Sequence, residues 1–253
     1  MTDTGMHTMQ RLFSGFLLGL ALAVAPAAMA ATEGALPASN ANLADTGSLQ
    51  NGAKIFFNYC SGCHSLGLMR YSRIAEDLQL SEDQVMQNLN FTGANFGERI
   101  PASMNPVDGK AWFGAPPPDL SLIARAKGVD YVYNYLKSFY LDSSRPIGWN
   151  NTVFPNASMP NALWELQGVQ TARFTPAQGE NPEVFEGFDL HQAGSLKPKE
   201  FDEVARDVAN FLQYAAEPAA MQRKSIGIWV ILFLAVFTLV AYFLKQEYWK
   251  DVH

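Results

Sequence analysis

The chain of 253 residues carries 18 Lys and Arg against 24 Asp and Glu, a net charge of −6, and contains only two cysteines. The acidic balance argues against nucleic acid as a partner, because phosphate binding requires a surplus of basic residues. Two cysteines are too few for a disulfide framework. Charged residues make up 17% of the chain, below the usual share of about 25%, which indicates that apolar segments are concentrated somewhere.

The first apolar segment lies at the N-terminus. Residues 12–25 form a run of fourteen uncharged residues that follows Arg11 and precedes Ala28-Met29-Ala30, a small-x-small cleavage pattern. The run is too short to span a bilayer and has the layout of a secretory signal. We therefore predict that residues 1–30 are a signal peptide, with an uncleaved anchor helix as the alternative.

The second apolar segment, residues 226–244, lies near the C-terminus and contains nineteen uncharged residues. As a helix it would be about 28 Å long, which matches the hydrocarbon thickness of a bilayer. Basic residues flank both ends equally, so the orientation follows from the signal. We predict an exported domain over residues 31–220, one transmembrane anchor, and a cytoplasmic tail over residues 245–253.

Between these segments the sequence predicts a mostly α-helical domain. Helical spacing or capping occurs at residues 50–59, 78–89, 120–127, 129–140 and 199–216. Residues 91–119 and 142–160 are rich in Gly, Pro and Asn and are predicted to be loops, and few segments show the two-residue period of a strand. Loops this long are uncommon in a compact domain unless something holds them. A large buried cofactor would do so.

The motif that carries chemistry is Cys60-Ser61-Gly62-Cys63-His64, which reads C-x-x-C-H. Two thiols at this spacing can add to the two vinyl groups of haem, and the adjacent histidine can bind the iron. A thioredoxin-type pair would need a preceding strand, a zinc site would need four ligands, and a disulfide would leave His64 unexplained. We predict one covalent haem c, attached through Cys60 and Cys63, with His64 as an axial ligand.

The second axial ligand is open at this level. A methionine would raise the potential for electron transfer, and His191 is a further possibility. Met104 and Met159 both lie on loops rich in Pro and Asn that could be held over a haem face, and spacing alone does not separate them.

The predicted exported domain is more acidic than the chain as a whole. Residues 31–220 contain 13 Lys and Arg against 21 Asp and Glu, a net charge of −8. Four acids recur at every third position: Glu180, Glu183, Glu186 and Asp189. Such a run is either a solvated surface or a docking patch that steers a basic partner.

Several segments together resemble the cytochrome c1 family, the haem-bearing subunit of the bacterial cytochrome bc1 complex. They are CSGCHS at 60–65, GAPPPDLSLIARA at 114–126, DYVYNYL at 130–136 and FPNASMPNALWELQG at 154–168. The resemblance covers nearly the whole mature chain in the family's order. It implies a cytochrome c-like haem domain with long loops, one C-terminal transmembrane helix, and Met159 in the Ser-Met-Pro element as the second axial ligand.

The resemblance also implies roles around the haem. Pro118 would line the pocket, Tyr131 would pack on the haem, and Arg125 or Lys127 would pair with a propionate. Lys127 departs from the arginine that the family tends to have, and its ammonium could not make a bidentate contact. The acidic segment matches a region of the family that is associated with docking cytochrome c or assembly partners.

The function that the resemblance implies is one-electron transfer. The chain would take electrons from the Rieske iron–sulfur protein and pass them to a cytochrome c, as the electron-transfer subunit of ubiquinol–cytochrome c reductase, beside cytochrome b in a dimeric complex. It would lie in the bacterial inner membrane with its haem domain in the periplasm, and quinone chemistry would occur elsewhere. Two alternatives remain: a free-standing membrane-anchored shuttle, and a haem-binding sensor or assembly module.

Overall fold

The computed structural model describes residues 36–175 and 184–250. The predicted signal peptide, Glu180, Glu183 and the last three residues of the predicted tail lie outside these ranges. Over the described residues helices dominate, and the strands form three two-stranded antiparallel sheets. The predicted mostly helical class is confirmed, with more β structure than the sequence indicated.

The elements of the described residues follow in chain order. They are α1 (Thr46–Ile55), a π-helical turn (Phe56–Cys60), β1 (Leu66–Arg70), α2 (Tyr71–Asp77), α3 (Glu82–Asn88), β2 (Arg99–Ile100), α4 (Pro106–Phe113), α5 (Ile123–Lys127), α6 (Val129–Lys137), β3 (Phe139–Leu141), β4 (Trp149–Asn151), α7 (Trp164–Gln167), β5 (Gly168–Thr175), β6 (Val184–Ala193), α8 (Pro198–Ala216) and α9 (Ala220–Tyr248).

Helix α8 is the centre of the core, since it packs against α1, α5 and α6. Its apolar residues recur at helical spacing, and Phe211 is fully buried with its ring 5.6 Å from that of Phe56. The backbones of α1 and α8 meet at Gly52, where an added Cβ would lie 2.0 Å from the carbonyl oxygen of Asp207. A larger residue at position 52 would collide with Asp207, so the glycine allows the backbones of α1 and α8 to approach this closely.

Two of the predicted helices have the boundaries that local chemistry dictates. Ser81 forms a capping box at the start of α3, in which its hydroxyl accepts from the Gln84 N–H at 3.1 Å and the Gln84 side chain accepts from the Ser81 N–H at 2.8 Å. Helix α8 matches the predicted stretch 199–216 to within one residue.

Both segments predicted to be loops contain regular structure. Residues 91–119 include β2 and α4, and residues 142–160 include β4. Helix α4 begins at Pro106, behind Asn105, whose side-chain oxygen accepts from the Val107 N–H at 2.8 Å, and it ends at Gly114 with φ +82°. An asparagine cap, a proline in the first turn and a left-handed glycine at the end form a helix signal that the overall composition of this segment obscures.

The hairpin formed by β5 and β6 was not predicted. Its pairing shifts register twice, between Val169 and Gln170 and between Arg173 and Phe174. Each shift interrupts the alternation of apolar and polar residues by which a strand is recognised. The acidic residues Glu186 and Asp189 lie on β6.

Helix α9 contains the predicted membrane span. Within the segment Gln222–Tyr248, the most apolar window of 18 residues has a mean hydropathy of 2.6 and is not buried against the described chain. Its length and composition allow it to cross a membrane, as predicted for residues 226–244.

Candidate haem site

A cavity of about 510 Å³ lies inside the helical domain. Three groups of residues line it: a histidine wall (residues 59–64 and 113–120), a methionine wall (residues 154–162), and one face of α5 and α6 together with Val208 and Leu212 of α8. Most of these side chains are apolar, and the volume is that of a site for a cofactor or small ligand.

The two cysteines lie on one turn at the end of the π-helical segment. The N–H groups of Cys63 and His64 both donate to the carbonyl oxygen of Cys60, at 3.0 and 2.9 Å, and the buried Ser61 hydroxyl donates to the carbonyl of Phe57 at 2.7 Å. Both thiols are free and both residues line the cavity. The turn therefore presents two thiols and an imidazole to the same space.

His64 is buried, and its Nδ1 lies 2.7 Å from the carbonyl oxygen of Pro118. A carbonyl only accepts hydrogen bonds, so Nδ1 carries the proton and Nε2 keeps its lone pair. Burial lowers the pKa of His64, against the opposing effects of Pro118 and Asp119. The neutral imidazole that results is the form that binds a metal.

Through hydrogen bonds, Asp119 links the loop that carries Pro118 to the residues that follow His64. Its Oδ2 accepts from the Ser65 hydroxyl and the Gly67 N–H, both at 2.6 Å, and its Oδ1 accepts from the Ser121 N–H at 2.8 Å. Partial burial alone would raise the pKa of Asp119, but these hydrogen bonds outweigh burial and hold it below its usual range. The carboxylate is thus charged at neutral pH and fixes the hydrogen-bond partner of His64.

The methionine wall is held by Asn151, which is fully buried at the end of β4. Its side-chain oxygen accepts from the N–H groups of Val153 and Phe154 at 2.9 and 3.1 Å, and its amide donates to the carbonyl of Tyr135 at 2.8 Å. One side chain therefore connects the start of the wall to helix α6.

A second fixed point of this wall lies three residues before Met159. Asn156 has φ +65°, in the left-handed region that asparagine tolerates better than most residues. Its N–H donates to the side chain of Asn150 at 2.7 Å, and Arg145 donates to its side-chain and main-chain oxygens, both at 3.1 Å. The loop before Met159 is therefore ordered by polar contacts and not by secondary structure.

The three candidates for the second axial ligand lie in different places. Met159 lines the same cavity as His64. The sulfur of Met104 lies against Gly109 of α4, outside the lining, and its N–H donates to Gly62 at 2.9 Å. His191 is exposed on β6. Of these three, only Met159 therefore lines the cavity, while the main chain of Met104 contacts the C-x-x-C-H motif.

The other predicted pocket residues also differ in whether they line the cavity. Pro118, Lys127 and Tyr131 line the cavity. The Lys127 ammonium lies 5.8 Å from the centroid of the Tyr131 ring. Both basic candidates for a propionate partner are exposed, and of the two only Lys127 is part of the lining.

The two predicted docking acids within the described residues are exposed, and each forms a polar contact with a neighbouring side chain. Glu186 accepts a hydrogen bond from the Thr175 hydroxyl at 2.7 Å, and Asp189 forms an ion pair with Arg173 across the hairpin. The charge of Asp189 is therefore partly neutralised within the hairpin itself.

Sequence reasoning overlooked Tyr135, whose hydroxyl lies 3.6 Å from the Met159 sulfur. Its ring stacks on Tyr131 at 6.0 Å and meets Phe139 edge-on at 5.0 Å. Burial, and to a smaller extent Tyr131, raises the pKa of Tyr135, so the phenol is protonated at neutral pH. The available signal was the four-residue spacing of Tyr131 and Tyr135, which places both rings on one face of α6.

The donors that face the cavity fit a c-type haem. Two free thiols, a neutral imidazole nitrogen and a thioether sulfur are the attachment and axial groups that such a haem uses, and the remaining lining is apolar. Among the described residues there is no group of three or more His, Cys, Asp or Glu that could hold a separate metal ion.

Comparison with known proteins agrees with this chemistry. The model of the Cytochrome C1 family matches residues 39–252. Cytochrome c1 of Allochromatium vinosum is 48% identical over 241 residues, which cover 94% of this chain and 98% of that protein. The ammonia monooxygenase gamma subunit of Nitrosomonas europaea is 38% identical and covers 96% and 100% of the two chains. Cytochrome b/c1 of Bradyrhizobium diazoefficiens is 26% identical, over 83% of this chain and 34% of that protein.

The family match extends over nearly all of the described residues and includes both walls of the cavity. Proteins of this family carry one covalently bound haem c and transfer electrons as a subunit of the cytochrome bc1 complex. On the family match and the similarity to bacterial cytochrome c1, the chain belongs to the cytochrome c1 family.

Proposed function

We propose that Cys60 and Cys63 attach the haem c of this chain, and that His64 and Met159 are its axial ligands. The observation that carries the proposal is the shared cavity, which gathers two thiols, an imidazole and a thioether from distant parts of the sequence. When bound, the haem supplies a one-electron couple. Pro118 orients His64, and the apolar lining excludes water.

The remaining pocket residues have supporting roles in this proposal. Tyr131 packs against the haem, and Lys127 lies close enough to the cavity to pair with a propionate. Arg125, exposed and outside the lining, is the weaker candidate for that pairing.

The chain takes electrons from the Rieske iron–sulfur protein and passes them to a cytochrome c, within ubiquinol–cytochrome c reductase. Family membership supports the complex, and the relative whose name joins cytochrome b to c1 supports cytochrome b as a neighbour. Quinone chemistry is not a task of this chain, and the complex is dimeric.

The haem domain, residues 31–220, lies in the periplasm after removal of residues 1–30. One helix anchors it in the inner membrane, and residues 245–253 lie in the cytoplasm. The apolar helix α9 supports the anchor. Glu180, Glu183, Glu186 and Asp189 form a docking patch for a basic partner, and the exposure of Glu186 and Asp189 on β6 supports this role.

The test is purification of the full chain from its own membranes in mild detergent, followed by reduction with ubiquinol. We expect co-elution with b-type haem and an iron–sulfur protein, and rapid reduction of haem c that stops when the iron–sulfur protein is removed. A lone haem protein would support the shuttle instead. An iron with an open or His-ligated sixth position and no fast reduction by quinol would support the sensor.

A further inference from the structure

The hydroxyl of Tyr135 is directed at the sulfur of Met159. The oxygen–sulfur distance is 3.6 Å, within the range of a hydrogen bond to sulfur, and the phenol is the donor. A thioether sulfur has no proton, so it can only accept. Both residues line the same cavity, and their contact lies on the methionine wall.

Tyr135 is fixed on several sides. Tyr131 stacks on its ring, Phe139 meets the ring edge-on, and its own carbonyl accepts from Asn151. Because Asn151 also holds the N–H groups of Val153 and Phe154, the main chain of Tyr135 and the start of the methionine wall are linked by one side chain. The hydroxyl–sulfur contact and the bridge through Asn151 therefore both connect α6 to the segment that carries Met159.

We propose that Tyr135 is a positioning residue that raises the redox potential of the haem through its hydrogen bond to Met159. The inference rests on the proposed function, in which Met159 is an axial ligand. A thioether sulfur has two lone pairs, so one can bind iron while the other accepts from the phenol.

The direction of the effect follows from charge. A hydrogen bond to the sulfur withdraws electron density and makes the thioether a weaker donor to iron. Ferric iron depends on that donation more than ferrous iron does, so the hydrogen bond favours the reduced state. The electron that reduces the haem would come from the iron–sulfur donor of the proposed function, and Tyr135 would keep its proton throughout.

The experiment is a potentiometric titration of the holoprotein in detergent, with absorption spectra, for the wild type and Tyr135→Phe. Tyr133→Phe is the matched control, because Tyr133 lies on the same helix but donates to Asp202 of α8 and does not line the cavity. We expect Tyr135→Phe to lower the midpoint potential and to shift the sulfur–iron charge-transfer band while retaining it. The control should match the wild type in both.

A ring-fluorinated tyrosine at position 135 preserves the shape and donates more strongly, so it should raise the potential, opposite to Tyr135→Phe. An unchanged potential and band in both variants, with the band present in the wild type, would overturn the role of Tyr135 and leave Met159 as the ligand. Absence of the band from the wild type would overturn the assignment of Met159 itself, and the inference with it.

Discussion

The two walls of the haem cavity are held by different chemistry. On the histidine wall, one charged carboxylate, Asp119, fixes the loop whose Pro118 carbonyl orients His64. On the methionine wall, the neutral side-chain amides of Asn150 and Asn151 accept hydrogen bonds from N–H groups of the loop that leads to Met159.

This difference determines which of the hydrogen bonds that hold the two walls depend on pH. Asn151 is fully buried and does not titrate, so its own hydrogen bonds to the methionine wall do not depend on pH. Asn150 differs, because its amide donates to the carboxylate of Asp142 at 2.8 Å, and hydrogen bonds from Ser144 and Asn150 hold the pKa of Asp142 below its usual range. The histidine wall depends on a group that gains a proton in acid. Loss of Asn151 and loss of Asp119 should therefore respond differently to pH.

The largest effect is expected from removing both thiols. Cys60→Ser combined with Cys63→Ser should abolish covalent haem, because no other described residue on the cavity has a thiol. Haem staining after denaturing electrophoresis measures the loss. Gly62→Ala lies between the two cysteines and places its methyl in open space, so it should retain the haem. Stain on the double variant would contradict the attachment.

Asn151→Ala should be the most damaging single change in the methionine wall. It leaves the N–H groups of Val153 and Phe154 and the carbonyl of Tyr135 without their partner, which costs about 2–4 kcal/mol. Thermal unfolding of the holoprotein measures this loss, which should be the same at pH 7 and pH 5. Asn88→Ala, which removes only an exposed bond to Gln84, should change stability by less than about 0.5 kcal/mol.

Asp119→Asn should cost less and should depend on pH. The folded-state pKa of Asp119 is below its unfolded value of about 4, so its contribution is present above that value and is lost as pH falls through the folded pKa. Because Asp119 is exposed and solvent screens its charge, we expect a loss of at most about 1 kcal/mol at pH 7 that narrows in acid. An equal loss of stability at pH 7 and well below pH 4 would contradict a stabilising role for the charged carboxylate of Asp119.

Lys127→Gln is expected to have the smallest effect. Removing a positive charge near the cavity disfavours the extra electron and should lower the midpoint potential by roughly 10–40 mV, given solvent screening of an exposed side chain. Arg125→Gln removes the same charge outside the lining and serves as the control. A larger shift for Arg125→Gln would reverse the assignment of the propionate partner.

The walls also differ in how far sequence predicts them. Cys60, Cys63 and His64 are neighbours in one motif, so their chemistry could be deduced locally. Met159 could not be separated from Met104 by spacing, because the choice depends on contacts between Asn151 and α6 that are distant in sequence. The hairpin of β5 and β6 was missed because its two register shifts interrupt the strand period.

Long-range contacts explain the remaining differences as well. Arg125 and Lys127 are both candidate propionate partners by sequence, and it is the fold that places Lys127, and not Arg125, on the lining of the cavity. Tyr135 was overlooked because an aromatic residue four positions after Tyr131 fits an ordinary core, and its proximity to Met159 depends on the folded loop.

The central claim is that His64 and Met159 together ligate the haem iron, and one measurement tests it most directly. The midpoint potential and ferric absorption spectrum of Met159→Leu should be compared with those of Met104→Leu in the full-length holoprotein. We predict that Met159→Leu lowers the potential by more than about 100 mV and loses the sulfur–iron band, whereas Met104→Leu changes neither. An unchanged potential and a retained band in Met159→Leu would contradict the account.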